Sequence, residues 1–250
     1  AIFFIVNFII TNRQATHPIV HFHTLFSKKP FVGATMAISS HLTLLTGIAG
    51  INVYIVRILK LPFDISLHFY FFFFVGVIIT GILKMFFYSS VGAGFLGTLG
   101  SSALLYVSIH WIILGNTINI PLLYIQGLLL GFGASMTLVS GSMATLLDGD
   151  LKEAAQRSQT MHTIRNFSAA MLIPIIAYTI KNHIQKGTQS IYAENITDKM
   201  IYLKKLQDVA IDADHQIFLL MIIFNMVMFV SSIIQMILGK GRRITPPRES

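Results

Sequence analysis

Apolar stretches of about 20 residues or more follow one another along this chain, separated by charged or Gly/Pro-containing joints. At about 1.5 Å per helical residue, each is long enough to cross a hydrocarbon core of roughly 30 Å. Six spans are expected, at about 31–56, 65–87, 91–114, 120–147, 158–180 and 215–238. A barrel strand would alternate in polarity over about ten residues, and the runs from Phe69 to Gly76 and from Leu219 to Phe224 do not alternate. The pattern therefore predicts an all-α integral membrane protein, with a six-helix bundle over 31–238. Ahead of it, 1–10 is apolar but too short to span and reads as the truncated end of a transmembrane linker helix. A signal peptide would carry its basic residues before such a run, whereas Arg13 follows it. Residues 11–30 read as a cytoplasmic linker and 239–250 as a basic tail.

Composition agrees with that pattern and narrows the partners. The chain is 54% hydrophobic and 11% charged. Its mean hydropathy of +0.71 is more than a soluble domain of this length hides in one core, so the lipid bilayer is its solvent. A formal charge of +8 would suit nucleic acid, but position assigns the basic residues to helix ends at a membrane surface, and no nucleic-acid partner is expected. With 0 cysteines, neither disulfides nor a thiolate metal site can form. Arg13, Lys28, Lys29, Lys84, Lys152, Arg157, Lys240, Arg242, Arg243 and Arg248 fall on the side of the tail, which places the C-terminus in the cytoplasm. The segment 181–214 then becomes an extracytoplasmic loop, with a short amphipathic helix around 198–209.

Ionisable groups inside spans are expensive and mark function by default. The 10 acidic residues all fall in loops, at span ends or in the tail, so no carboxylate is expected to couple ion movement within this chain. Arg165, about two turns into the fifth span, either faces a central cavity or gate or snorkels to the interface. His41 lies near the middle of the first span, whereas His68 and His110 lie toward span ends. A pathway position and an interhelical hydrogen bond are both open to His41. The His21-x-His23 spacing has no further ligand nearby, and no metal site or cofactor is expected. Gln126, Asn166, Asn225 and Gln235 are amides within spans, suited either to a permissive substrate cavity or to helix–helix hydrogen bonds.

Gly97, Gly127, Gly131 and Gly133 belong to glycine-rich faces of the third and fourth spans, and Gly127-x-x-x-Gly131 spacing permits close helix packing. Pro174 removes a hydrogen bond within the fifth span and is a candidate hinge. Neither a phosphate loop nor a dinucleotide, zinc-protease or serine-hydrolase motif occurs, and the spans lack paired catalytic residues, so no enzyme is expected.

Several motifs together resemble a known family. His17-Pro18-Ile19-Val20-His21-Phe22-His23-Thr24-Leu25-Phe26, followed by Lys28-Lys29-Pro30-Phe31, is similar to the cytoplasmic linker of fourteen-helix major facilitator transporters in the drug:proton antiporter branch. Gln126-Gly127-Leu128-Leu129-Leu130-Gly131-Phe132-Gly133 resembles that family's glycine-rich twelfth helix, and Glu153 through Asn166 resembles the turn and helix that follow. The long segment before the last span also fits. Gln126 stands where the family often has arginine, and Asn166-Phe167-Ser168-Ala169-Ala170 stands where it tends to have paired glycines.

The resemblance covers essentially the whole chain in order. It implies the C-terminal half of a major facilitator fold, working by alternating access with an N-terminal half as partner. It further implies a small amphipathic substrate, protons as the coupling ion, and a bacterial inner membrane. Arg165, Asn166, Gln126, His41 and Asn225 are then the expected cavity or gating residues. The competing readings are a structural or other non-transport membrane subunit, which amides and glycines alone do not exclude, and, less favoured because intramembrane acids and paired histidines are scarce, a membrane-embedded enzyme.

Overall fold

Lipid offers no hydrogen bonds, so an apolar segment that crosses it must satisfy its own backbone, which a helix does. A computed structural model describes residues 21–147, 151–193 and 198–239, together with Asn7, Ile10, Thr11 and Gln14. Apart from those four, the linker-helix end at 1–10 and the stretch to His17 lie outside the described residues, as do Arg242, Arg243 and the rest of the tail beyond Gly239. A one-turn helix, α1 (Phe22–Leu25), precedes α2 (Lys28–Asn52), which runs into a π-helical turn at Val53–Ile58. Then come α3 (Phe63–Trp111), α4 (Ile120–Leu147), a 3-10 turn (Leu151–Glu153), α5 (Ala154–Ala193) and α6 (Lys199–Ile237). Among the described residues there is no strand, and 5 helical elements are long and apolar enough to cross a membrane.

One of those elements crosses twice. At 49 residues α3 would extend about 73 Å if straight, far beyond a bilayer core. It is broken at Gly92, where φ 81° and ψ 172° lie in a region that a side chain with a Cβ rarely enters. The two arms run along α4 in opposite senses. In the first arm Phe69, Phe73 and Thr80 meet Gly127, Gly131 and Phe132 in rising order, whereas in the second Gly100 meets Met136 and Trp111 meets Gln126 in falling order. The arms 63–91 and 93–111 therefore form a hairpin around Gly92, matching the second and third expected spans. Among the described residues this makes six apolar helical arms, consistent with an all-α membrane bundle.

Extension beyond the expected spans is the main correction. The segment 181–214, expected as a loop with one short helix, is helical on both sides of 194–197: α5 continues to Ala193 and α6 begins at Lys199. Gly187 packs against Val209, and the Tyr192 and Tyr202 rings lie 6.1 Å apart, so the two ends continue as a helical hairpin. Hydropathy lost these turns because their polar residues do not belong in lipid, although they form good helix. Asp198 caps α6 by accepting from the Met200 backbone N–H at 2.7 Å. Pro174 lies inside α5, which continues through it.

Close backbone contact holds the bundle together, since lipid tails compete with apolar side chains for burial. A Cβ on Gly131 would collide with the Phe73 carbonyl, and one on Gly76 with the Leu128 carbonyl. On Gly133 it would stand 2.6 Å from the Gly100 carbonyl, on Gly127 2.8 Å from the Phe69 carbonyl, and on Gly97 2.6 Å from Met36 Sδ. These glycines therefore set how near α2, α3 and α4 approach. Around them Phe69, Trp111 and Phe218 form a buried aromatic chain, with ring centroids 6.4 and 5.3 Å apart, that ties α3 to α6.

Candidate functional site

Polar side chains in this bundle fall into those that bind neighbouring helices and those that do not. In the first group, Trp111 Nε1 donates to Gln126 Oε1 at 2.8 Å, and Asn225 Nδ2 donates to the Leu104 carbonyl at 3.1 Å and to Ser108 Oγ at 2.9 Å. Gln126 is 1% exposed and Asn225 0%, so two of the expected cavity residues lie within the packed interior of the chain. Ser40 and Thr137 share a 2.6 Å hydrogen bond further along α4, and Thr80 donates to the Phe132 carbonyl. Each such bond between helices contributes about 1 kcal/mol.

The ionisable residues are placed differently. α2 and α5 bring His41 and Arg165 together: both are half-buried and within electrostatic reach of each other, with Met161, Ala34 and Ala37 packed nearby. Arg165 Nε is buried without a hydrogen-bond partner among the described residues. Its neighbour Asn166 is exposed on α5. Lys84, expected at a helix end, lies instead within the first arm of α3, which continues to Gly92. Its Nζ donates to the Ser135 carbonyl at 2.6 Å. His68 stays apart, bonded through Nδ1 to the Asp64 carbonyl at 2.7 Å, and His110 lies beside Tyr106. Among the described residues no group of three or more metal-type side chains comes together.

Arg157 was counted only as a loop charge in the sequence, yet it is 1% exposed. Nε donates to the Thr145 carbonyl at 3.0 Å and Nη2 to the Leu146 carbonyl at 2.9 Å, with Glu153 at 3.7 Å from Nη1. A guanidinium thus closes the C-terminus of α4, where the helix dipole favours positive charge. The signal available in sequence was an arginine ten residues after a glycine-rich span, which does not separate a cap from a solvated charge.

Asp214, expected at the end of the loop before the sixth span, is buried within a helix. The sixth span was expected to open at His215, which left Asp214 outside it; α6 instead starts at Lys199, and Asp214 is 1% exposed. Neither carboxylate oxygen has a hydrogen-bond partner among the described residues. The group adjoins a cavity of about 130 Å³ between the π turn, α5 and α6, lined by Val53, Ile58, Ile180, Ile184 and Ala213, with Arg57 as the one cation. Below it, Leu172, Ile176 and Ile217 pack against Leu42 and Leu45.

The π turn has a local cause. Leu59 N–H reaches back to the Tyr54 carbonyl and Leu61 N–H to the Ile55 carbonyl, with Lys60 at φ 52°. Such a wide turn, closed by a left-handed residue, ends the helix while aiming Arg57 outward, and π turns recur at functional sites. Tyr54 OH donates to the Gly115 carbonyl, and His215 Nε2 donates to the Leu114 carbonyl at 2.8 Å. The joint between α3 and α4 is thereby pinned on both sides of the Asp214 level.

No protein-family model matches the chain, and no curated protein compared with it matches.

Proposed function

We propose that this chain is one half of a secondary active transporter that exports small amphipathic molecules by alternating access, driven by protons. A second, N-terminal half supplies the opposite wall of the substrate path. The observation that carries this reading is the presence of Lys84, Arg165, His41 and Asp214 within apolar helices, where each is costly unless used. The motifs quoted above for the drug:proton antiporter branch support the same reading and suggest a small amphipathic substrate.

Arg165, with His41 beside it and Asn166 exposed on the same helix, forms the substrate-facing or gating group in this reading. Gln126 and Asn225 hold helices instead of lining the path. Pro174 gives α5 a site at which it can bend as the halves rock. The test is export of a fluorescent lipophilic cation from cells expressing the complete gene, with and without a collapsed proton gradient. Gradient-dependent export that Arg165→Ala weakens at matched membrane levels is expected. Absence of export for that cation and for a broad compound panel, with correct membrane insertion, would exclude a multidrug role.

A further inference from the structure

We propose that Asp214 is a proton-binding site whose conjugate base is claimed by the Arg57 guanidinium, so that proton release moves Arg57 from the surface into the cavity between the π turn, α5 and α6. The inference rests on the transporter reading for the use of the proton, and on the cavity alone for its binding. An unpaired charge is not held in an apolar site without a counter-ion, so the carboxyl keeps its proton while both oxygens lack partners. Arg57 lines the same cavity, yet its side chain is exposed and makes no ion pair with Asp214 among the described residues. A long guanidinium at the mouth, a protonated carboxyl on the wall and about 130 Å³ of space between helices are the parts of a two-position latch.

Other charges do not complete the pair. From the π turn, Tyr54 lies near the carboxyl with its hydroxyl already committed to the Gly115 carbonyl, and Arg57 lines the same cavity from its mouth. From α5 the cavity receives Ile180 and Ile184, while Lys181 and His183 beside them are not among the lining residues. On α6, Asp212 is exposed and His215 bonds the Leu114 carbonyl. The joint near Gly115 contributes backbone. Arg57 is therefore the counter-ion within reach. In the step itself the Asp214 O–H bond breaks, the proton passes to water, and the guanidinium, charged throughout, moves in against the carboxylate. Because the π turn joins α2 to α3, drawing Arg57 inward pulls that joint toward α5 and α6.

The experiment uses the complete gene product in liposomes and reads two quantities. Infrared difference spectra between acid and alkaline buffer report protonated carboxyl, and flux of the lipophilic cation is recorded both as gradient-driven uphill transport and as gradient-free exchange. The expected result is a titrating carboxyl band that Asp214→Asn removes and Asp214→Glu restores, and that persists further into alkaline buffer in Arg57→Gln. Uphill transport by Asp214→Asn should fall about tenfold, an ordinary size for a coupling free energy, while exchange stays near wild type. A band unchanged by Asp214→Asn, or indifferent to Arg57→Gln, overturns the site. If the band behaves as stated and wild type moves no cation in either mode, the proton site stands and the transporter reading fails. If the band disappears while Asp214→Asn pumps uphill like wild type, the coupling role is overturned.

Discussion

The α3–α4 side of the bundle and the corner where the π turn meets α5 and α6 handle burial in opposite ways. On the first, glycines bring backbones into contact at Gly76, Gly127 and Gly131, and Thr80 and Gln126 bond directly across helices. In the corner, a 1% exposed carboxyl group has no hydrogen-bond partner among the described residues, a cavity opens beside it, and the helix departs from α geometry. Close backbone approach thus dominates one region, and a carboxyl group with neither oxygen bonded among the described residues lies in the other. The difference teaches where to look: in the packed region Gln126 keeps a bond across helices through Oε1 although Nε2 has no partner among the described residues, whereas a carboxyl with neither oxygen bonded stands ready for a proton or a moving partner.

Substitutions that break the comparison should separate in size. Gly131→Ala places a Cβ against the Phe73 carbonyl and should destabilise by about 3 kcal/mol, read as a lower unfolding temperature in detergent. Gly81→Ala meets no atom within 4 Å and should leave the protein unchanged or slightly more stable. Arg157→Met strips the Thr145 and Leu146 carbonyls of their donor and should lower stability by about 2 kcal/mol in the same assay. Gln126→Leu and Asn225→Leu should each lose about 1 kcal/mol in the same assay. Asp214→Asn should also cost little, less than about 1 kcal/mol, because neither carboxyl oxygen has a hydrogen-bond partner among the described residues to lose. If that variant unfolds like Gly131→Ala, Asp214 is structural and the contrast between the two regions collapses.

Hydropathy made the crossings legible because lipid imposes one requirement on every spanning residue. The places where expectation and structure part are those where another force decides. Asp214 was set outside the last span because a hydropathy window ends where charges begin, whereas a helix ends only where its backbone bonds stop, and α6 extends back to Lys199. For the same reason 181–214 looked like loop: its five lysines and five acids suit water, and water does not unwind a helix that packs on its neighbour through Gly187 and Val209. The identity of Gln126 as a polar residue was visible, but its partner Trp111 is set by the hairpin at Gly92, which brings the second arm of α3 back along α4. Arg165 and His41, far apart in sequence, meet only because α2 and α5 pack together.

The chain has 0 cysteines, so single cysteines report on the two regions without background. The most direct measurement is the labelling rate by a small maleimide of Ala213→Cys, beside the Asp214 cavity, and of Ala134→Cys, within the α3–α4 packing, each in the otherwise wild-type complete protein. Both positions are buried, at 1% and 2% exposure, so static burial alone makes both unreactive. The account predicts that Ala213→Cys labels at a rate that changes several-fold with pH and with substrate, while Ala134→Cys stays unlabelled throughout. Equal labelling of the two, or no labelling of Ala213→Cys under any condition, would contradict it.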